Sequence, residues 1–153
     1  MMSDQRVVIV PCSGIGKSYG SVSREAAYVA TEELCPDQTQ LVALSLLVLG
    51  DEQARAAVAE NAAITIDGCQ LACASKMVKE SGGTIAKNYA VLEVYRRHRQ
   101  FKPQGIGELN EGGQQLARVL AEEIAGEVDA LTPPRLRAPS PARRGEKVGG
   151  QHG

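Results

Sequence analysis

Residues 7–18 read VVIVPCSGIGKS, and the fold turns on them. Val7, Val8, Ile9 and Val10 make a β-branched run with no polar break, the composition of a strand buried on both faces. Pro11 has no N–H to give to a strand ladder and ends the run. The loop that follows carries Gly14 and Gly16, residues that permit a tight change of direction. Val22, Ala26, Val29, Ala30 and Leu34 then recur at helical spacing over residues 21–34. A strand, a glycine-rich turn and a helix form the first half of a βαβ unit.

The same alternation continues outward. Pro36 and Asp37 break the chain, and the apolar residues 41–48 predict a second strand. Asp51 is placed to cap a second helix running to about Glu60. Residues 63–67, AITID, predict the third strand, residues 70–81 the third helix ended by Gly82 and Gly83, and residues 89–94 the fourth strand. A last helix is expected over residues 110–131, its stripe being Leu116, Val119, Leu120, Ile124 and Val128. Four strands alternating with helices imply an α/β three-layer sandwich of the flavodoxin or Rossmann kind. Its sheet is expected to be mainly parallel, with strand order 2-1-3-4. Ligands of such sheets bind beyond the carboxyl ends of the strands, where the strand order reverses.

Composition narrows the function. The chain has 153 residues, of which 43% are apolar, enough for one core. Aromatics are 3%, with no Trp and one Phe, so stacking platforms for single-stranded nucleic acid are poorly supplied. A formal net charge of −1 gives no electrostatic footprint for specific nucleic-acid binding. The longest apolar run, residues 41–50, is about half of the ~20 residues a membrane-spanning helix needs. Residues 1–6 lack the apolar stretch of a secretory signal, so a cytoplasmic protein is expected. Residues 132–153 hold five basic residues against one acid, with four of the seven prolines. They are expected to form a disordered tail behind a single domain of residues 1–131.

Four cysteines are the residues most suited to chemistry: Cys12, Cys35, Cys69 and Cys73. In a reducing compartment they stay free thiols. Cys69 and Cys73 are one helical turn apart at the start of the third predicted helix, and Cys12 closes the first strand. If strands one and three are neighbours, the three converge. A helix N-terminus favours thiolate, the form that binds metal and attacks electrophiles. Thiolates select soft metals, zinc above all. The same three residues serve a thiol redox or sulfur-transfer enzyme, with Cys69 attacking and Cys73 or Cys12 resolving, and burial as plain core residues is the alternative to both. Cys35 follows the first helix, which puts it at the opposite end of the sheet, about 20 Å from Cys12.

Cys12-Ser13-Gly14 after the first strand, coupled to Asp67-Gly68-Cys69 and Cys73 after the third, resembles the DGC domain. The resemblance covers residues 7–95 and implies a zinc site built from four cysteines. Cys12, Cys69 and Cys73 match its motifs. The pattern places the remaining cysteine after the second strand, where this chain has Ser45; Cys35 supplies the number four without matching the place.

The first loop supports a rival reading. Residues 11–18, PCSGIGKS, nearly spell a phosphate-binding loop, with Pro11 where a glycine belongs. Gly20 and Ser21 suggest that the helix starts beyond the Gly16-Lys17-Ser18 triplet, which counts against nucleotide hydrolysis. A smaller anion, cradled by Gly14, Gly16, Lys17 and Ser18, is the more modest expectation. Asp67 is expected to cap the third helix. Arg96, Arg97, His98 and Arg99 read as a solvated basic connection.

Overall fold

Strand β1, Val7–Pro11, is buried along its whole length in the computed structural model, which describes residues 6–12, 18–68, 72–104 and 108–132. Val8, Ile9 and Val10 are 0% exposed. Burying each such side chain stabilises the fold by about 1.5–3 kcal/mol relative to leaving it in water. β1 lies between β2 (Thr39–Leu41) and β3 (Ala62–Asp67), and β4 (Thr84–Ala90) pairs with the far side of β3. All three pairings are parallel and the order is β2-β1-β3-β4. The α/β sandwich and its strand order are as the sequence predicts.

Alternation along β1 divides the core. Val7 and Ile9 face helices α1 (Ser18–Tyr28), α5 (Val91–Arg97) and α6 (Glu111–Leu131). Val8 and Val10 face α2 (Leu44–Leu49), α3 (Glu52–Glu60) and α4 (Cys73–Glu80). The chain leaves β1 toward β2 in one direction and reaches β3 on the other side, so the strand order reverses between β1 and β3. The loops after these two strands therefore flank the crevice where such sheets bind ligands.

Four boundaries differ from the sequence expectation, one being α4, which starts at Cys73 rather than at residue 70, with Ala72 before it at φ 54. The predicted second strand over residues 41–48 is instead a three-residue strand, Thr39–Leu41, followed by helix α2. A continuous apolar run does not distinguish a buried strand from a helix. Here Leu44 and Leu47, three apart, are buried while Leu46, Val48 and Leu49 are exposed. The fourth strand occupies Thr84–Ala90 rather than residues 89–94, because Val91 and Val94 bury themselves on a helix, α5. Helix α1 begins at Ser18, not at residue 21. Gly20 is a poor helix former, but it lies inside α1 with Gly68 packed against its backbone, and tertiary packing overrides propensity.

α1 continues as a π-helical stretch, Val29–Leu34, closed by the Cys35 N–H donating to the Ala30 carbonyl at 2.8 Å. Asp51 caps α3 by accepting the Ala54 N–H at 2.9 Å, and Gly82, at φ 84, follows α4 as expected. No helix among the described residues is long and apolar enough to cross a membrane. The predicted tail, apart from Thr132, which is buried at the end of α6, lies outside the described residues.

Candidate metal centre

Parallel pairing carries Cys12 to the end of β3. Pro11 stands opposite Ile66, and the Cys12 N–H donates to the Ile66 carbonyl at 2.8 Å, one step beyond the last strand residue. The Ser23 hydroxyl on α1 shares its proton between the carbonyls of Gly20 (2.7 Å) and Cys12 (3.0 Å), which fixes the loop's exit against α1. Cys12 is 6% exposed.

β3 ends at Asp67, and Gly68 follows it directly onto α1. A Cβ on Gly68 would meet the Gly20 nitrogen at 3.0 Å and the Tyr19 carbonyl carbon at 3.1 Å. Only glycine lets the backbone come that close without displacement. Cys12 and Gly68 therefore follow adjacent strands and both contact α1, Cys12 through Ser23 and Gly68 against Tyr19 and Gly20. Cys69 itself lies outside the described residues. The chain re-enters at Ala72, in the left-handed region at φ 54, and Cys73 opens α4 as an exposed residue of its first turn.

Asp67 is the cap the sequence predicts, and more. Its buried carboxylate accepts the Ala74 N–H at 3.0 Å, inside the first turn of α4. It also accepts the Ser75 hydroxyl at 2.6 Å and the Asn88 amide at 2.8 Å. Ser75, Asn88 and their neighbour Thr65 were not visible as site residues in the sequence. The signal is that Thr65 and Asp67 stand two apart, on one face of an otherwise apolar strand.

Cys35 lies where its position after the first helix implies, at the amino end of the sheet. It precedes β2, whose first residue Thr39 stands opposite Val7, and its carbonyl accepts the Thr39 hydroxyl at 2.6 Å. The length of β1 separates it from Cys12 by roughly 15 Å, far beyond the spacing of two sulfurs on one metal ion. Cys35 therefore stands at the other end of the sheet from Cys12. It packs instead into the apolar core between α1 and α6, where burial, and then the Asp129 carboxylate, push its thiol above the ordinary range. Ser45 is the second residue of α2, beyond the carboxyl end of β2, the same end as Cys12.

The described cysteines are free thiols. Among the described residues no three potential ligands cluster; of the three thiols expected to converge, Cys12 and Cys73 are described. Thiol chemistry at a crevice between two strand ends fits a soft metal such as zinc. Gly14, Gly16 and Lys17 also lie outside the described residues, and Ser18 is the first residue of α1. The basic residues after β4 sit on and beyond α5, where Arg96 pairs with Glu93 and Arg97 with Glu123.

The model of the DGC domain matches residues 8–119. The chain belongs to the DGC domain family. The match runs past β4 and α5 into the first half of α6, further than the cysteine motifs alone reach. All four strands of this DGC domain, apart from Val7, thus fall within the match. Neither a curated protein nor a solved structure matches the chain.

Proposed function

We propose that this DGC domain binds a soft transition metal, zinc first among them, through the thiolates of Cys12, Cys69 and Cys73. The observation that carries the reading is the pair of anchors at the switch point. The Cys12 N–H is tied to the end of β3, and Gly68, directly before Cys69, closes on the start of α1. Cys73 opens α4 four residues after Cys69 in the sequence, which supports a site built from all three thiols. Three thiolates leave the fourth position of a tetrahedral zinc ion to a ligand from outside the trio. Free thiols of this kind belong in a reducing compartment such as the cytoplasm.

The experiment is metal analysis of untagged protein together with Cys12→Ser, Cys69→Ser, Cys73→Ser and Cys35→Ser variants. One equivalent of zinc in the parent and in Cys35→Ser, weakened in each of the other three, supports the site. A parent chain that carries no metal and takes up no added zinc overturns it.

One observation favours a second reading, an anion held by the first loop. α1 starts at Ser18, so the Gly14-to-Lys17 segment feeds straight into a helix N-terminus, the arrangement used to cradle phosphate. Protection of the chain against thermal unfolding by inorganic phosphate, lost in Lys17→Ala, would support it. No protection at millimolar phosphate would remove it.

A further inference from the structure

On the α4 side of the sheet lies a polar cluster made of the buried Thr65 and Asp67, the half-buried Ser75 and the exposed Asn88. Asp67 is 4% exposed, and its carboxylate accepts from Ala74, Ser75 and Asn88. The Asn88 side-chain nitrogen also lies 2.7 Å from the Thr65 hydroxyl oxygen and 2.8 Å from that of Ser75. Its three neighbours are all oxygens, so the donor end of the amide is the end that faces them. Thr65 and Asn88 stand opposite each other in the β3–β4 register, which brings the amide over the carboxylate.

The cluster grips the backbone on one side of Cys73. The Ala74 N–H belongs to the peptide group joining Cys73 to Ala74, so its bond to Asp67 sets the plane from which the Cys73 side chain departs. On the other side, Ala72 is held in the left-handed region, which costs a residue with a Cβ about 1–2 kcal/mol. Such a conformation persists only where the surroundings enforce it.

We infer that Asn88 and Ser75 are positioning residues for the Cys73 thiolate: their donations orient the Asp67 carboxylate toward the first turn of α4. The inference rests on the zinc reading above and adds to it two residues outside the cysteine motifs. Residues that orient a metal ligand typically change metal affinity by about 10- to 100-fold when removed. Asn88→Asp keeps the shape of the side chain but replaces its donors by oxygen facing Asp67, so the two carboxylates repel and the carboxylate is turned from Ala74. Ser75→Ala removes the shortest of the three donations, and Ser75→Thr retains a hydroxyl.

The test uses the full chain, stripped of metal. Zinc affinity is measured by competition with a chromophoric chelator, and cobalt is added separately to read its thiolate charge-transfer absorption. Asn88→Asp and Ser75→Ala should each weaken zinc by about 10- to 100-fold and alter the cobalt spectrum, and Ser75→Thr should recover most of both. Thermal unfolding of the metal-free variants runs alongside. Lowered melting with affinity and cobalt spectrum unchanged would show a purely structural cluster and overturn the inference while leaving the zinc reading intact. A parent chain that binds neither zinc nor cobalt would overturn both.

Discussion

A side-chain carbon on Gly68 would stand 3.0 Å from the backbone nitrogen of Gly20, so β3's loop lies directly on the first turn of α1. What it meets is main chain, which cannot swing aside as a long side chain does. Through that contact the loop after β3 is locked to the helix that follows the loop after β1. Cys12, bonded to Ser23, and Gly68 thereby share α1 as a support.

Gly68→Ala is therefore expected to push the loop off α1. Overpacking against fixed atoms costs about 1–3 kcal/mol, and this contact is at the edge of what real structures tolerate, so about 1–2 kcal/mol is expected. Urea unfolding gives the loss directly. Because the displaced loop carries Cys69, zinc affinity should fall in the same variant. Unchanged stability and affinity would mean that the contact relaxes freely and that the two loops are not coupled through it.

Cys35→Ser separates the two ends of the sheet. Zinc stoichiometry should stay at the parent value, since Cys35 lies across the length of β1 from Cys12. Stability should nevertheless fall, because a hydroxyl enters an apolar core between α1 and α6; about 1–3 kcal/mol is expected if it finds no partner. Loss of one equivalent of zinc would place Cys35 in the metal site and contradict its position before β2.

Much of this arrangement was legible in the sequence, and the exceptions have physical causes. The unbroken β-branched run Val7 to Val10 reads as a central strand because a strand covered on both faces needs no polar alternation. Leu44 to Leu49 looks the same on paper, yet as a helix it leaves Leu46, Val48 and Leu49 exposed by 41%, 61% and 80%, something a burial argument does not anticipate. β4 was expected too late, at residues 89–94, for the opposite reason: as an edge strand it exposes Lys87 and Asn88 and buries Tyr89, so most of its composition resembles a loop. Convergence of Cys12 with the β3 loop followed from strand order alone. The partners of Asp67 did not, because Ser75 and Asn88 meet it through strand register and helix phase, which spacing along the chain does not encode.

Tyr89 gives the fold a measurable dependence on alkaline pH. Burial, then the carboxylates of Glu127 and Glu123, push its phenol from 10.0 up to about 12, and the hydroxyl lies 3.2 Å from the Glu123 carbonyl as donor. An acid whose pKa is raised by folding keeps its proton longer in the native state. Its contribution to stability is complete below pH 10.0 and is lost as pH rises toward about 12. Tyr89→Phe should therefore lose stability at neutral pH, by about 0.5–1.5 kcal/mol for the hydrogen bond, and show a shallower decline than the parent across that alkaline window. Equal slopes in the two proteins would assign the alkaline loss to other groups.

Unequal exposure of Cys12 and Cys73 supplies the sharpest separation of metal binding from thiol exchange. Cys12 is 6% exposed and Cys73 is exposed on the first turn of α4. In metal-free protein an alkylating reagent should label Cys73 quickly and Cys12 slowly, as read by mass spectrometry of the peptides. A metal ion held by both is withdrawn from the reagent as one unit, since coordination occupies the sulfur lone pairs. Zinc should then slow labelling of Cys73 most in absolute terms and bring Cys12, Cys69 and Cys73 under common protection, reversed together by a chelator, while Cys35 keeps its own rate throughout. A thiol-exchange site behaves differently. One thiolate reacts at once whether or not zinc is present, a mild oxidant removes two electrons and two protons to join two cysteines, and a dithiol reverses the bond. Cys73 labelling at the same rate with and without zinc, together with a reversible disulfide to Cys69 or Cys12, would replace the metal centre by a redox pair at the same end of the sheet.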